Sequence, residues 1–569
     1  MKNKLYLILL LSSLNYLGLA KTIIVVNNGF TFSPKTIEAQ VGDTIQFNLD
    51  SEHDVLEVSK SSFDANSAQG NGGFSLPFGG GKLKLGQEGT FYFVCEPHAS
   101  FGMKGTLIVS KATVVTPAAP MTFVSKLSGI QEEFPVLSFA SGTIKAVLDG
   151  DTLTVSGNFN NLSTDFTLNH IHRALAGTSG GVIFTLVSVL DSTKKSGTYA
   201  GASNKFVLSA AQKIQLLNRE FYTNVHSTLY PGGEIRGQLL PESDGYYQAN
   251  LTGIQEVPPV MTTAHAAIVA DLIGNTLVVT GSGKELSSGI NVGIRQGGHF
   301  HIGFPGQNGA IQIELKPTVL DSAGTSIQYL AIDNTFTLTA DQIATLKAGQ
   351  YYANIHTNQY AGGEIRGQVT RIGNARFRVH YSGAYEATPV LTFATGGLSL
   401  LLEDSILSVY GSYSGLESNW NNGAAHLHKG MAGQNGAIQI NFKSTPGADF
   451  RSGTFSGDSN TFKLTSTNLD DLFSRRLYAN VHSVNNPGGE IRGQVIPECQ
   501  YVLYSTMTGM QENKPVISTG KGNVLVEVNG TRMSVSGYAE KLSSRITASH
   551  FHKASAGLNA GVLTTLPFT

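Results

Sequence analysis

Three residues of one short stretch carry the strongest chemical signal in the chain. Cys95-Glu-Pro-His98-Ala-Ser-Phe-Gly-Met103 sets a thiol, an imidazole and a thioether within nine residues. His53 lies upstream, just after an expected strand over 45–49, and offers a second imidazole. Two histidines and one cysteine around an ion, with a weak axial methionine, make the donor set of a blue-copper centre. Soft sulfur favours Cu(I) and imidazole accepts Cu(II), so a site of mixed donors lets the ion change oxidation state with little movement. The competing reading is a buried structural thiol beside two polar loop histidines. Copper held in a degenerate, non-redox site is a third.

A second set of histidines recurs along the chain. His-x-His pairs stand at His170/His172, His299/His301, His426/His428 and His550/His552, at spacings of 129, 127 and 124 residues. Tyr-x-Asn-x-His follows at Tyr222/Asn224/His226, Tyr352/Asn354/His356 and Tyr478/Asn480/His482. Residues i and i+2 of a strand share a face, so each pair presents two imidazoles together. If the two strands are neighbours, a third imidazole joins them, the right number for Zn or Cu. His170, His172, His226, His299, His301, His356, His426, His428 and His482 are therefore candidate metal ligands. The alternative is that they hydrogen-bond neighbouring loops. Of 15 histidines, only His265 and His380 fall outside these motifs and the copper set. No residue is assigned a catalytic role. A metal-dependent activity of the repeats stays open.

The elements that must position these groups read as strands. Charged residues are 14% of the 569, where about 25% is usual, and the 65 glycines exceed the usual share of about 7%. With a net charge of −1, the chain lacks the basic excess of a nucleic-acid binder. Low charge, many glycines and abundant Thr, Val, Ile and Ser indicate a β-rich chain with frequent turns.

Residues 1–20 read as a signal peptide: Lys2 and Lys4 precede an apolar run over 5–14, and Gly18-Leu-Ala20 offers small residues for cleavage. That run is shorter than the ~20 residues a spanning helix needs. Secretion, with no membrane span after signal removal, is the expectation. Three sequons, at Asn161, Asn250 and Asn529, permit glycosylation. Cys95 and Cys499 are the only cysteines and are not expected to pair.

Residues 21–110 form a first domain, with strands expected near 22–26, 41–47, 89–94 and 105–109 and a glycine-rich excursion over 70–81. Residues 111–120 (KATVVTPAAP) read as an extended linker. Four repeats follow, at 121–242, 243–371, 372–498 and 499–569. Each opens on Gly-x-x-Glu (Glu132, Glu256, Glu386, Glu512), and the first three close on Gly-Gly-Glu-Ile-Arg-Gly-Gln. That closing strand puts Glu234, Arg236 and Gln238 on one face, where an ion pair pinning the register is the first reading and an anion or partner site the alternative. A short helix is expected after Ser209-Ala-Ala-Gln212, Thr339-Ala-Asp-Gln342 and Thr467-Asn-Leu-Asp470, the first two in capping-box form. The fourth repeat reads as truncated or incomplete, since it stops before its second histidine motif.

The first domain resembles the cupredoxin family, and within it the plastocyanin-like members. Val41-Gly-Asp-Thr, His53 and Gly89-Thr-Phe-Tyr-Phe-Val-Cys-Glu-Pro-His-Ala-Ser-Phe-Gly-Met103 carry the likeness. It implies a Greek-key β-sandwich, a type 1 copper held by His53, Cys95, His98 and Met103, and one-electron transfer. A multicopper oxidase is not implied, because Cys95 is flanked by Val94 and Glu96 and has no adjoining histidine to pass electrons on. The repeats resemble the CHRD domain, named for chordin, through Gly-x-x-Glu, His-x-His, Asn-x-His and Gly-Glu-Ile-Arg-Gly-Gln. That likeness implies extracellular β-sandwich or barrel-like domains. The sequence thus predicts an all-β, secreted copper protein, not an enzyme. Its partner would be a redox protein or an extracellular protein or polysaccharide. An adhesion or matrix protein with structural copper is the alternative.

Overall fold

The computed structural model describes residues 22–110 and 119–568. The expected signal segment, and linker residues 111–118, lie outside the described residues. The chain forms two compact units, one on the N-terminal residues together with Ser209–Ile214 and one comprising Pro120–Leu208 and Gln215 onward.

The N-terminal unit packs a four-stranded sheet against a five-stranded one. Thr22–Asn27 runs parallel to Thr44–Asn48, and Thr36–Gln40 runs parallel to Lys104–Ser110. Alternation builds the core: Ile45 and Phe47 of one strand and Phe93, Leu107 and Val109 of others are buried together. Phe32, Phe47 and Phe93 meet edge to face at centroid distances of 5.0–6.2 Å, the arrangement the ring quadrupole favours. The expected excursion over 70–81 is corrected. It contains the strand Gly70–Leu76, on the edge of the five-stranded sheet, and leads into Gly80–Lys84. Glycine hides strand character because it brings no side chain to alternate. A short helix, Lys60–Asp64, capped by Ser59, had no signal in the sequence reading.

Each of the first three repeats is one antiparallel sheet of 10 or 11 strands. In the second repeat, Ile311–Leu315 and Ile327–Tyr329 lie far apart in the strand order, yet Leu315 and Tyr329 belong to one core. The sheet therefore curls round on itself. The helices Ala340–Lys347 and Ser466–Phe473 carry capping boxes. At Ser209 and Gln212 the two reciprocal side-chain bonds are also formed. The third box is shifted from its expected place: Thr465 and Asn468 form it, two residues upstream of Thr467 and Asp470. The fourth repeat contributes a three-stranded sheet and a separate pair, His550–His552 with Val562–Thr565.

The repeats of the second unit pack directly on one another. Arg219 makes a buried two-pronged ion pair with Asp271 of the next repeat at 2.9 and 3.0 Å. Arg475 reaches Glu527 in the same way. The Asn250 amide donates to Ile130 O and to Glu498, and is 6% exposed. Asn529 donates to the carbonyl of Pro135. Of the three sequons, only Asn161 has its side chain exposed.

Candidate metal centres

The copper ligands expected from sequence are brought together from two loops. His53 follows the strand Thr44–Asn48, and Cys95 follows Gly89–Val94. The Nδ1 atoms of His53 and His98 are 3.1 Å apart, and the Cys95 Sγ is 3.5 and 3.3 Å from them. Three donors sharing one ion at about 2.0–2.3 Å must lie at comparable separations. Met103 is fully buried in the same core as Cys95. Backbone bonds fix the loop: Cys95 N donates to Met103 O, Met103 N to His98 O, and His98 N to Cys95 O. Asp54, next to His53, accepts from Glu96 N at 2.7 Å and ties the two loops together. Burial pushes the Cys95 thiol up to about 11, so the metal-free site holds its proton at neutral pH. Loading a cation there releases it.

The histidine motifs of the repeats also converge. Their strands are neighbours: His299 pairs with Asn354 and His301 with Tyr352. In each of the first three repeats the ligand atoms of the two His-x-His rings and the Asn-x-His ring lie within 4.8 Å of one another. Around them the sequence motifs interlock. The His301 ring stacks on Tyr352, and the Arg366 guanidinium lies 3.4 Å from the same phenol's centre. The triplets His172–Tyr222–Arg236 and His428–Tyr478–Arg492 repeat this. Burial holds all nine imidazoles below their usual range, His301 down to about 4.

The expected ion pair of the closing strand is not what the structure contains. Glu234 accepts from the hydroxyls of Ser138, Ser163 and Ser227 and from Ser163 N. Arg236 spends its donors on the carbonyls of Leu175 and Thr178 and on Gln238. A two-residue offset along a strand gives both side chains one face, but each finds partners in a different loop. The arginine faces another carboxyl that sequence reasoning passed over as a bare repeat marker, the glutamate of Gly-x-x-Glu. Burial raises Glu132 to about 8 and Glu256 and Glu386 to about 7, although the arginine of the same repeat opposes the rise.

A family model described as the CHRD domain matches residues 123–239, 247–369, 377–495 and 503–569, which is most of the chain. The chain belongs to the CHRD-domain proteins. Ahead of its CHRD repeats, residues 20–110 match the copper binding proteins of the plastocyanin/azurin family, and copper is the cofactor of this unit. Halocyanin from Natronomonas pharaonis is 32% identical over 87 residues, 15% of this chain. The CHRD-domain chain spans about half (50%) of that curated relative's length. Among solved structures, oxidized plastocyanin from Dryopteris crassirhizoma is 25% identical, covering 15% of this chain and 99% of its own, with a TM-score of 0.12. Pseudoazurin from Methylobacterium extorquens is 23% identical over 16% of this chain and 75% of its own, with a TM-score of 0.13.

Proposed function

We propose that the N-terminal unit is a one-electron carrier, exported with its CHRD repeats, in which His53, Cys95, His98 and Met103 hold the copper. The observation that carries this reading is the triangle of two imidazole nitrogens and one thiol sulfur, 3.1–3.5 Å on a side. When bound there, copper supplies a Cu(I)/Cu(II) couple.

The protein's own residues do the rest. Cys95 and Met103 are wholly buried and His53 is 3% exposed, so three of the four ligands are shielded from water. Asp50 stands 3.5 Å from the outer nitrogen of His53 and orients that ring. His98 is the half-exposed member. Its ring stacks on Phe30 at 4.5 Å, and Phe30 and Phe101 are themselves exposed. An apolar rim around one ligand edge suits brief contact with a redox partner protein, because it adds no charge to be stripped of water. Export is supported by Lys2, Lys4 and the apolar run that follows them. Among the described residues no helix is long and apolar enough to cross a membrane.

A redox titration of the copper-loaded chain, followed in the visible, tests the reading. A reversible couple with an intense thiolate-to-copper band is expected, and Cys95→Ser abolishes the band. Copper fixed in one oxidation state would overturn it in favour of a matrix protein with structural copper.

A further inference from the structure

The second CHRD repeat shows how its three imidazoles are oriented. His299 Nε2 donates to Arg295 O at 2.7 Å, His301 Nδ1 to Gly309 O at 2.9 Å, and His356 Nδ1 to Ala361 O at 2.9 Å. A neutral imidazole has one N–H, and each ring has given its own to a backbone carbonyl. The other nitrogens, His299 Nδ1, His301 Nε2 and His356 Nε2, are buried and have no hydrogen-bond partner. One ring nitrogen from each of the three histidines lies within 4.8 Å of those of the other two. The rings are 0%, 8% and 5% exposed. Three bare lone pairs thus belong to one tight cluster of rings, with no proton left among them to bridge any two.

Such a cluster is costly empty and well matched to a cation. Ligating histidines commonly donate their outer N–H to a backbone carbonyl, which fixes the tautomer and raises the basicity of the inner nitrogen. We propose that the first three CHRD repeats are metal sites, each taking one late first-row divalent ion, Cu(II) or Zn(II), on three imidazole nitrogens. An all-imidazole donor set suits both metals. In the second repeat the ligands are His299, His301 and His356. In the third they are His426, His428 and His482, where His428 and His482 donate to Gly436 O and Pro487 O and the inner nitrogens are again unpartnered.

The first repeat has the same outer bonds at His172 and His226, and there His170 Nδ1 lies 3.4 Å from His226 Nε2. One hydrogen bond can bridge that cluster, so it fills after the other two. Bonds of about 2.0–2.1 Å set the nitrogens of a tetrahedral site about 3.4 Å apart, so a bound ion draws the rings slightly inward. Three protein donors leave a fourth position for water or an exogenous ligand, the pattern of a reactive and not a closed structural site.

The full chain, stripped with chelator, is titrated with Zn(II) and separately with Cu(II), and bound metal is counted after dialysis. One equivalent at each of the three clusters, beyond that of the N-terminal site, is expected. The added Cu(II) should give a non-blue electron paramagnetic resonance signal with nitrogen couplings. His356→Gln should remove one equivalent while the blue band stays. The metal that fills at the lower free concentration identifies the preferred ion. A wild-type chain that takes one Cu(II) at the N-terminal site and no Zn(II) overturns the proposal without any variant. So does His356→Gln with unchanged stoichiometry. If that variant fails to fold, His301→Gln serves in its place.

Discussion

The imidazole of His301 lies flat against the phenol of Tyr352, with ring centroids 4.9 Å apart and planes 7° from parallel. Tyr352 belongs to the strand between the histidine strand and the closing strand, so Arg366 reaches it from the other side. Gly-Glu-Ile-Arg-Gly-Gln and His-x-His are thus two ends of one stack. The phenol oxygen, in turn, accepts from Gly309 N, whose residue also supplies the carbonyl for His301.

This stack predicts that Arg366→Lys is not conservative. The guanidinium is 2% exposed and donates to Phe304 O and to Asn308. A lysine keeps the charge but loses the planar fork and the stacking. An acceptor left unpaired in the interior costs about 1–3 kcal/mol. Urea unfolding should show a loss of at least about 2 kcal/mol in the second repeat, and an unchanged midpoint would refute the stack's importance.

Neighbouring glycines separate backbone need from mere presence. Gly363 has φ of +123°, and a Cβ there would lie 2.6 Å from both Asn354 Oδ1 and Glu256 Oε1. A Cβ on Gly362, beside it, would have nothing within 4 Å. Gly363→Ala should cost about 2 kcal/mol or more through strain and displaced polar groups, and Gly362→Ala only a few tenths. Equal effects on the melting temperature would show the close approach to be unimportant.

At the copper site, Met103→Leu should leave the metal bound and the blue colour present while raising the reduction potential, because a weak donor to Cu(II) is lost. Spectroelectrochemistry of the full chain reads both at once. A lowered potential, or loss of copper, would remove Met103 from the ligand set.

The raised carboxyl of Glu256 makes a pH prediction whose sign is fixed. Burial raises its folded pKa to about 7 from an ordinary value of 4.5. The folded state therefore holds a proton that the unfolded state releases across that window. Stability from this group is full below about 4.5, declines as pH rises toward 7, and is flat above. The lowered imidazoles slope the other way, losing stability as pH falls from 6.5 to about 4 at His301. Glu256→Gln isolates the carboxyl. In the metal-free chain, the variant's stability relative to wild type should grow between pH 4.5 and 7, by up to about 3 kcal/mol. A difference independent of pH would show that Glu256 ionises normally.

The N-terminal site was legible in the sequence because its donors are close together and chemically distinctive. Cys95, His98 and Met103 sit on one short loop, so their spacing nearly determines their geometry. The convergence of His299 and His301 with His356 was legible as arithmetic on strand alternation, given that the two strands pair. What the sequence did not reveal was which nitrogen each ring turns inward. Arg295 O, Gly309 O and Ala361 O decide that, and a backbone carbonyl has no letter in the sequence. The same blindness produced the mistaken ion pair: Glu234 and Arg236 share a face, but serine hydroxyls and loop carbonyls reach them first.

Residues 303–310 leave the histidine strand and return within one short loop. On the way Gly303 and Phe304 accept from Gln368 and Arg366, and Gly309 accepts from His301. In the middle, Pro305 accepts from Ser412 of the following repeat, and Gly306 comes so near Gly396 and Gly397 that a Cβ would be 2.7–3.0 Å from their backbone. Both ends and the midpoint are therefore pinned. Exposed hairpin turns tolerate inserted or deleted residues, but one inserted residue here would swing an imidazole off its carbonyl and unseat the next repeat in a single event. The length of this loop is the least negotiable dimension of the array.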